Sequence, residues 1–241
     1  MPKTTAIRIE KSTPTFLTAL QRHNEKPWFE ANKERYITAH ANMVVFADAL
    51  LERMKTFDKI STPSGKASLM RIYTDQRFHK DREPYAPRFG GRLARMKPGL
   101  RGGYFFRIQP GDRSHVTCGF MGPEADDLKR IRHDIAYDCE LWRTLLNGRN
   151  LRSHLGGLFG DGLASAPRGF DKDHPAIDLL RKKQFLLRRT LSARSKSKQN
   201  PSTPCGIGWI CTANWYKSQN GWTITPAEKW AITRQWRSGR I

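Results

Sequence analysis

Residues 104–120 read YFFRIQPGDRSHVTCGF and decide the class of fold. Apolar and polar residues are mixed over 104–108 and again over 115–120, as they are in strands with one buried face. Between the two runs stand Pro110, Gly111 and four polar residues, a composition typical of a tight turn. The stretch therefore predicts two antiparallel strands joined by a short loop.

Two helices and a further strand are predicted before this hairpin. Thr13 and Pro14 precede apolar residues at helical spacing, and a capping residue followed by proline is typical of a helix start. Pro27 opens a longer helix with one continuous buried face, formed by Trp28, Tyr36, Ala39, Met43, Phe46 and Leu50. Residues 69–73 are predicted to form the first strand of the sheet.

The chain after the hairpin is predicted to return to helices. One helix follows Pro123, because three acidic residues stand in its first turn and apolar residues recur behind them at helical spacing. Further helices are predicted over 138–146 and 176–182, and a last strand over 185–187. This mixture predicts the α+β class, with an antiparallel sheet packed with helices in a single domain over residues 1–191.

The composition indicates a protein that attracts anions. The 241 residues include 43 Lys and Arg against 22 Asp and Glu, which gives a formal net charge of +21. Such a charge attracts phosphates, nucleic acid or anionic lipid, and it does not choose among them. The hydrophobic share of 38% suffices for the core of one domain.

Patterns typical of a membrane span, a zinc site or a nucleotide-binding loop are missing from the sequence. No run approaches the roughly 20 apolar residues that cross a bilayer, and the first four residues lack the apolar core of a signal peptide. The four cysteines are scattered, and the paired glycines lack the spacing of a phosphate-binding loop. We therefore expect a cytoplasmic protein with no membrane association, no metal and no cofactor.

The stretch over 68–85 interleaves charges and aromatic side chains more densely than an ordinary surface loop does. On a strand, Arg71 and Tyr73 share one face, whereas Met70 and Ile72 point to the opposite face and into the core. Tyr85 follows Pro84, which ends the stretch rigidly. We therefore expect a polar, solvent-facing surface here.

Cations in the loop after this predicted strand indicate an anion site. Arg77 and Lys80 can converge on phosphate or carboxylate oxygens, and Asp75 can orient them or act as a general base. The alternative is a structural network of salt bridges in which Asp75 and Asp81 pair with neighbouring arginines. The ligand-binding candidates are Arg71, Tyr73, Arg77, Lys80 and Tyr85, with Arg107 added from the hairpin.

Asn32 is expected to support this loop. It lies one helical turn after Trp28 and one before Tyr36, on the predicted buried face, where a polar group needs hydrogen-bond partners. We expect its side chain to cap or brace the loop from beneath, with Trp28 and Tyr36 packed around it.

Asp171, Asp173 and His174 have the residue types of a metal site, but three ligands so close in sequence need others from elsewhere. Asp173 has a sufficient explanation as the cap of the helix predicted after Pro175. His174 is the second candidate for proton transfer, beside Asp75.

A basic run between residues 88 and 101 has the spacing of a solvated helical face and loop. Its members are Arg88, Arg92, Arg95, Lys97 and Arg101. A solubilising role and contact with a nucleic acid backbone are both consistent with this spacing.

Four motifs, in order, give the chain a resemblance to a known family. They are residues 28–36, 68–85, 103–111 and 169–181, and together they resemble the hypothetical proteins grouped as domain of unknown function 2461. The resemblance covers roughly residues 13–191. It implies no biochemical activity, because none is established for that family.

The composition changes abruptly at residue 192. From there to residue 241 one acidic residue, Glu228, stands against eight basic ones, and five of the seven tryptophans are found. Members of the family that this chain resembles continue into a closing helix, and residues 192–241 do not match it. The tail is either a basic, tryptophan-bearing appendage that stacks on single-stranded nucleic acid or a disordered or out-of-frame segment.

Three functions are consistent with these patterns. The leading hypothesis is an anionic small-molecule ligand, carrying phosphate or carboxylate groups, bound by Arg71, Arg77 and Lys80. A second is a hydrolase-like enzyme that uses Asp75 or His174 as proton carrier. A third is a nucleic-acid-binding protein that uses the basic surface and the tail.

Overall fold

The computed structural model describes residues 8–56, 58–75, 77, 81–96 and 102–191. Over these residues an antiparallel sheet of five strands packs against helices, with strand order β1-β2-β3-β5-β4. The strands are β1 (Phe89–Ala94), β2 (Gly103–Ile108), β3 (His115–Phe120), β4 (Leu158–Phe159) and β5 (Phe185–Thr190). The predicted α+β class, with an antiparallel sheet packed with helices, is confirmed.

The helices of the described residues fall into two groups, one before the sheet and one after its third strand. The first group is α1 (Ser12–Arg22), α2 (Lys26–Ala31), α3 (Lys33–Lys55) and α4 (Gly65–Ser68). The second group is α5 (Ala125–Tyr137), α6 (Cys139–Asn147), α7 (Arg149–Leu155) and α8 (Ile177–Leu180). Of these helices, α4 and α7 were not predicted.

The predicted hairpin is confirmed as β2 and β3. Its turn places Asp112 at φ 55° and Gly111 at φ 72°, conformations that Gly and Asp adopt at low cost. The Ser114 hydroxyl closes the turn, because its Oγ accepts from the Gln109 amide at 3.0 Å and donates to the Gln109 carbonyl at 3.0 Å.

The long helix predicted after Pro27 is two helices that meet at Asn32. The Asn32 backbone leaves the helical region at φ −111° and ψ 19°, and its side-chain amide donates to the Trp28 carbonyl at 2.9 Å. Asparagine competes for backbone partners in this way and favours helix ends. The apolar spacing continues across the break, so periodicity alone could not reveal it.

The strand predicted over 69–73 is wrong, because this segment makes two isolated bridges, Leu69 to Gly91 and Tyr73 to Tyr85. Ile72 is buried as predicted, but Met70 is 51% exposed. The first strand is instead β1, within the basic run predicted as a helical face. A spacing of four residues, such as Arg88 to Arg92, keeps side chains on one face of a strand as well as of a helix, which explains the error.

The main core lies between the first group of helices and one face of the sheet. Phe16 and Met43 from α1 and α3 are buried in the same cluster as Phe89 and Phe106 from β1 and β2. Alternation along β2 turns Phe105 and Arg107 to the opposite face. That opposite face is the one that concerns function.

A second core lies at the far end of the sheet. Phe120 and Phe185, from β3 and β5, are buried with Ile135, Trp142 and Leu180 of the second helix group. The strand predicted over 185–187 is confirmed and extends to Thr190, and it lies inside the sheet between β3 and β4.

Three sequence predictions fall wholly or partly on residues outside the described ranges: the tail over 192–241, the ligand-binding role of Lys80, and the basic run at Lys97 and Arg101. The domain boundary at residue 191 stays a prediction. Among the helices of the described residues, none combines the length and apolar character that a membrane span requires.

Candidate functional site

A cavity of about 480 Å³ opens on the face of the sheet turned away from α1 and α3. It lies within the size range of small-molecule sites. Five arginine side chains line it, and we call them the arginine cluster: Arg71, Arg88, Arg92, Arg107 and Arg188.

Strand pairing explains why three of these arginines share one face. Arg92 pairs with Phe105, Phe105 with Thr117, and Thr117 with Arg188, so one row of partners crosses β1, β2, β3 and β5. Directly paired residues project to the same side of a sheet. Arg107 lies in the next row on that side, opposite His115.

Glycines give this face its depth. Gly90 pairs with Arg107, and Gly103 pairs with Gly119, so these positions of the cavity face carry no side chain. Gly119 in turn lies opposite Leu186 on β5. The cavity is therefore deepest at the glycines, and the longer side chains of neighbouring positions surround it.

Arg107 is a partly buried member of the arginine cluster, with other cations close to it. Its pKa is lowered, first by burial and then by the charges of Arg88 and Arg188, because neighbouring cations disfavour the charged form. Its Nε atom is buried and has no hydrogen-bond partner in the described part of the chain. A buried donor without a hydrogen-bond partner costs stability, so the position of Arg107 among these cations is an unfavourable one.

Within the described ranges, none of the five arginines forms an ion pair with a carboxylate, unlike Arg95 with Asp58 or Arg143 with Asp178. Arg188 instead lies over the Phe159 ring at 4.0 Å. Glu124 and Asp127 also line the cavity. Five cations against two carboxylates make its lining strongly positive.

His115 contributes an imidazole to the lining of the cavity. Its Nδ1 lies 3.0 Å from the Arg113 carbonyl, and because a carbonyl can only accept, Nδ1 carries the proton and Nε2 is the basic nitrogen. Burial lowers the pKa of His115, as do the charges of Arg188 and Arg107, while the bond to Arg113 acts in the opposite direction.

The sequence-predicted site divides into residues that line the cavity and residues that do not. Arg71 and Arg107 line it. Arg77 and Asp75 instead pair with each other, through Nε to Oδ1 at 3.1 Å and Nη2 to Oδ2 at 2.8 Å. Both side chains are exposed, at 82% for Arg77 and 43% for Asp75, as in the structural alternative stated for this loop. Asp81 is exposed in a turn nearby.

The predicted aromatic ligand contacts belong to a core of stacked rings. Tyr85 is buried and stacks on Phe29 at 4.1 Å. Tyr73 is half-exposed, but its ring meets the edge of Phe29 at 5.6 Å and that of Tyr36 at 6.5 Å. Trp28 stacks on His23 at 5.7 Å. Trp28 and Tyr36 therefore pack against other aromatic rings, and Tyr85 packs in the core, outside the cavity lining.

Asn24, and not Asn32, braces the loop that ends at Tyr85. Its side chain accepts from the Tyr85 amide at 3.0 Å and donates to the Tyr85 carbonyl at 2.7 Å and to Glu83 at 2.8 Å. Asn32 bonds within its own helices, to Trp28 and Arg35. Asn24 follows α1 in a short polar linker, where no periodicity marks it.

Asp173 and His174 do not take their predicted places. The helix there begins at Ile177, with Ala176 before it and no side-chain cap. The Asp173 amide donates to Asp171 at 2.9 Å, and His174 Nδ1 accepts from the Ala176 amide at 3.0 Å. Neither Asp173 nor His174 lines the cavity, and acid-base chemistry through Asp75 or His174 stays a prediction.

Sequence reasoning missed Arg88 and Arg92, which it assigned to a helical face, and it did not single out His115, Thr117 and Arg188. His115 and Thr117 stand at alternate positions of the predicted strand over 115–120, and this was their signal, because alternate residues of a strand share one face. Arg92 and Arg188 lie on strand residues that were not predicted as strand. In the described residues no group of three or more His, Cys, Asp or Glu side chains is arranged to hold a metal ion.

Among known proteins, this chain matches a family model but no individual curated protein or solved structure. Searches of curated proteins and of solved structures found no match to this chain. The model of one protein family matches residues 12–203, which includes β1 to β5 and every arginine of the cluster. The chain therefore belongs to the family described as conserved hypothetical protein (DUF2461).

Proposed function

We propose that this protein binds an anionic ligand, bearing phosphate or carboxylate groups, in the cavity lined by the arginine cluster. The observation that carries the proposal is the convergence of five arginines on one cavity without an ion pair in the described ranges. Guanidinium groups bind such oxygens by two parallel hydrogen bonds.

Electrostatics within the cavity supports an anion in particular. Burial, and then the charges of Arg88 and Arg188, lower the pKa of Arg107, because both of these guanidinium groups repel that of Arg107. An anion between them replaces this repulsion with attraction. Without a bound anion, the repulsion between these guanidinium groups lowers the stability of the folded protein.

Replacing Arg107 by glutamine is expected to weaken anion binding on the order of 10- to 100-fold. A charge-assisted hydrogen bond contributes about 1.5–3 kcal/mol, and about 1.4 kcal/mol corresponds to a factor of ten in affinity. Titration calorimetry with pyrophosphate and citrate, on wild type and Arg107→Gln, measures the effect.

Arg77→Gln is the matched control, because it removes the same charge from an arginine outside the cavity lining that is 82% exposed. Its affinity should remain within about twofold of wild type, as expected for an exposed, solvent-screened charge. Equal weakening in both variants would mean that net charge, and not the cavity, attracts the anion. Pyrophosphate and citrate that both fail to bind wild type would contradict the proposal.

Anion binding is expected to raise the pKa of His115, because the ligand opposes the effect of Arg107 and Arg188. The affinity for the anion should therefore rise as the pH falls through the pKa that His115 has in the complex, because the protonated ring attracts the anion. It should level off below the pKa that His115 has in the free protein. An NMR titration of the histidine ring protons, with and without pyrophosphate, measures both values. His40 lies outside the cavity lining and serves as internal control, since its titration should not move.

A further inference from the structure

The cavity is larger than a single small anion requires, and part of its lining is apolar. A phosphate ion has five heavy atoms and would leave most of the 480 Å³ unfilled. Apolar side chains share the lining with the arginines, among them Met70, Phe105, Met121 and Leu186. Met70 and Met121 are 51% and 61% exposed. A ligand that fills this space therefore carries an organic body as well as its anionic groups.

The backbone positions that carry the arginine cluster are spread over the sheet. Arg92 and Arg188 lie at the two ends of a row that crosses four strands, about 14 Å apart at a strand spacing of about 4.8 Å. Arg107 lies between their strands, one row away. Two or more anionic groups match such a distribution better than one does.

Phe105 supplies a flat apolar surface among these charges. It lies in the middle of the row, between Arg92 and Thr117, and is partly exposed. Arg107 lies 5.9 Å from its ring centroid, and the His115 ring lies 6.2 Å away. A side-chain carbon at Gly90 would lie 3.5 Å from the ring's Cζ atom and 3.4 Å from Met70 Sδ, so the missing side chain leaves space at this edge of the ring, beside Met70.

We propose that the ligand is a nucleoside phosphate whose base stacks on Phe105 while its phosphates bind Arg107 and the neighbouring arginines. This inference rests on the proposed function and specifies the ligand of the same cavity. A planar ring on an aromatic face next to guanidinium groups is how nucleotides are commonly held, both singly and in single strands. The same chemistry serves a free nucleotide and a unit of a single strand.

The test compares two ligands that share a phosphate chain and differ in the nucleoside, ATP and inorganic tripolyphosphate. Calorimetry is carried out on wild type, Phe105→Leu and Arg107→Gln. ATP is expected to bind wild type more tightly than tripolyphosphate. Phe105→Leu should lose ATP affinity on the order of 5- to 150-fold, the range for a lost base stack, and keep its tripolyphosphate affinity. Arg107→Gln should weaken both ligands.

Phe105→Tyr is the second variant, because it keeps the ring and should keep ATP affinity. If Phe105→Leu does not fold, the two ligands are compared on wild type and Phe105→Tyr. Tighter binding of ATP than of tripolyphosphate by both proteins supports the inference, and equal binding of the two ligands contradicts it. An oligothymidylate of about 12 nucleotides, competed against ATP, identifies the source. Tighter binding of the strand assigns the site to single-stranded nucleic acid, and tighter binding of ATP assigns it to the free nucleotide.

Equal binding of ATP and tripolyphosphate, with both affinities unchanged in Phe105→Leu and reduced in Arg107→Gln, would overturn this inference and leave the proposed function standing. Affinities that are unchanged in Arg107→Gln would overturn both. The two failures are therefore distinguishable in one set of titrations.

Discussion

Asp58→Ala is expected to lower the free energy of unfolding by about 3–5 kcal/mol, the cost of leaving a buried charge without its partner. Asp58 and Arg95 form an ion pair at 2.7 Å with side chains that are 5% and 3% exposed. The Asp58 carboxylate also accepts from the Tyr104 hydroxyl at 2.8 Å. Urea denaturation followed by circular dichroism measures the change.

The reason for so large an effect is that three polar groups satisfy one another inside the core. Burial, followed by the charge of Asp58, raises the pKa of the Tyr104 hydroxyl, so it stays a neutral donor. Removal of the carboxylate leaves a buried guanidinium and a buried hydroxyl without this acceptor. Breaking a buried network of hydrogen bonds and ion pairs is among the few mechanisms that give destabilisation of this size.

Asp178→Ala is the matched control. Asp178 also makes a two-point ion pair with an arginine, Arg143, at 2.7 and 3.0 Å, but these side chains are 58% and 37% exposed. Exposed pairs contribute about 0–1 kcal/mol, so this variant should remain within about 1 kcal/mol of wild type. Equal losses in the two variants would show that burial of the Asp58 pair does not determine its contribution.

Gly119→Ala is expected to cost about 3 kcal/mol or more and to disturb the pairing of β3 with β5. Gly119 has φ 126°, a conformation that side chains rarely adopt and that costs about 1–3 kcal/mol. A methyl group there would also lie directly against the Phe185 carbonyl oxygen of the neighbouring strand. Overpacking adds about 1–3 kcal/mol, and urea denaturation again provides the measurement.

Gly157→Ala is the matched control, because it adds the same methyl group at a position with open space around it. No heavy atom lies within 4 Å of the added carbon at Gly157. Its free energy of unfolding should be unchanged or raised by up to about 1 kcal/mol, because alanine restricts the unfolded chain. If Gly119→Ala were as stable as Gly157→Ala, the close approach of β3 and β5 would not be needed for folding.

The elements that sequence predicted well are those whose signal is local. The hairpin needed no partner for its identification, since the turn residues at 110–114 and the runs beside them lie within one short window. Helix α5 was recognised because its acidic first turn and its apolar spacing agree. Family membership was likewise recognised from four short motifs and confirmed over residues 12–203.

The site could be predicted only in part, because its residues are brought together by strand register. Arg71 and Arg107 were named, yet Arg92 and Arg188 also line the cavity, and strand pairing brings these two to the face of Arg107. Proximity in sequence favoured Asp75 and Arg77, which neutralise each other. Only a predicted order of strands could have identified Arg188 as a cavity residue.

The place of β5 in the sheet has a consequence for how the chain folds during synthesis. β3 ends at Phe120, but its partner β5 begins at Phe185, so the second edge of β3 has no strand to pair with until that part of the chain has been made. Distant pairings of this kind form slowly, and unpaired edges invite aggregation. We therefore expect nascent chains that end before residue 185 to need protection by chaperones more than chains that have released residue 190.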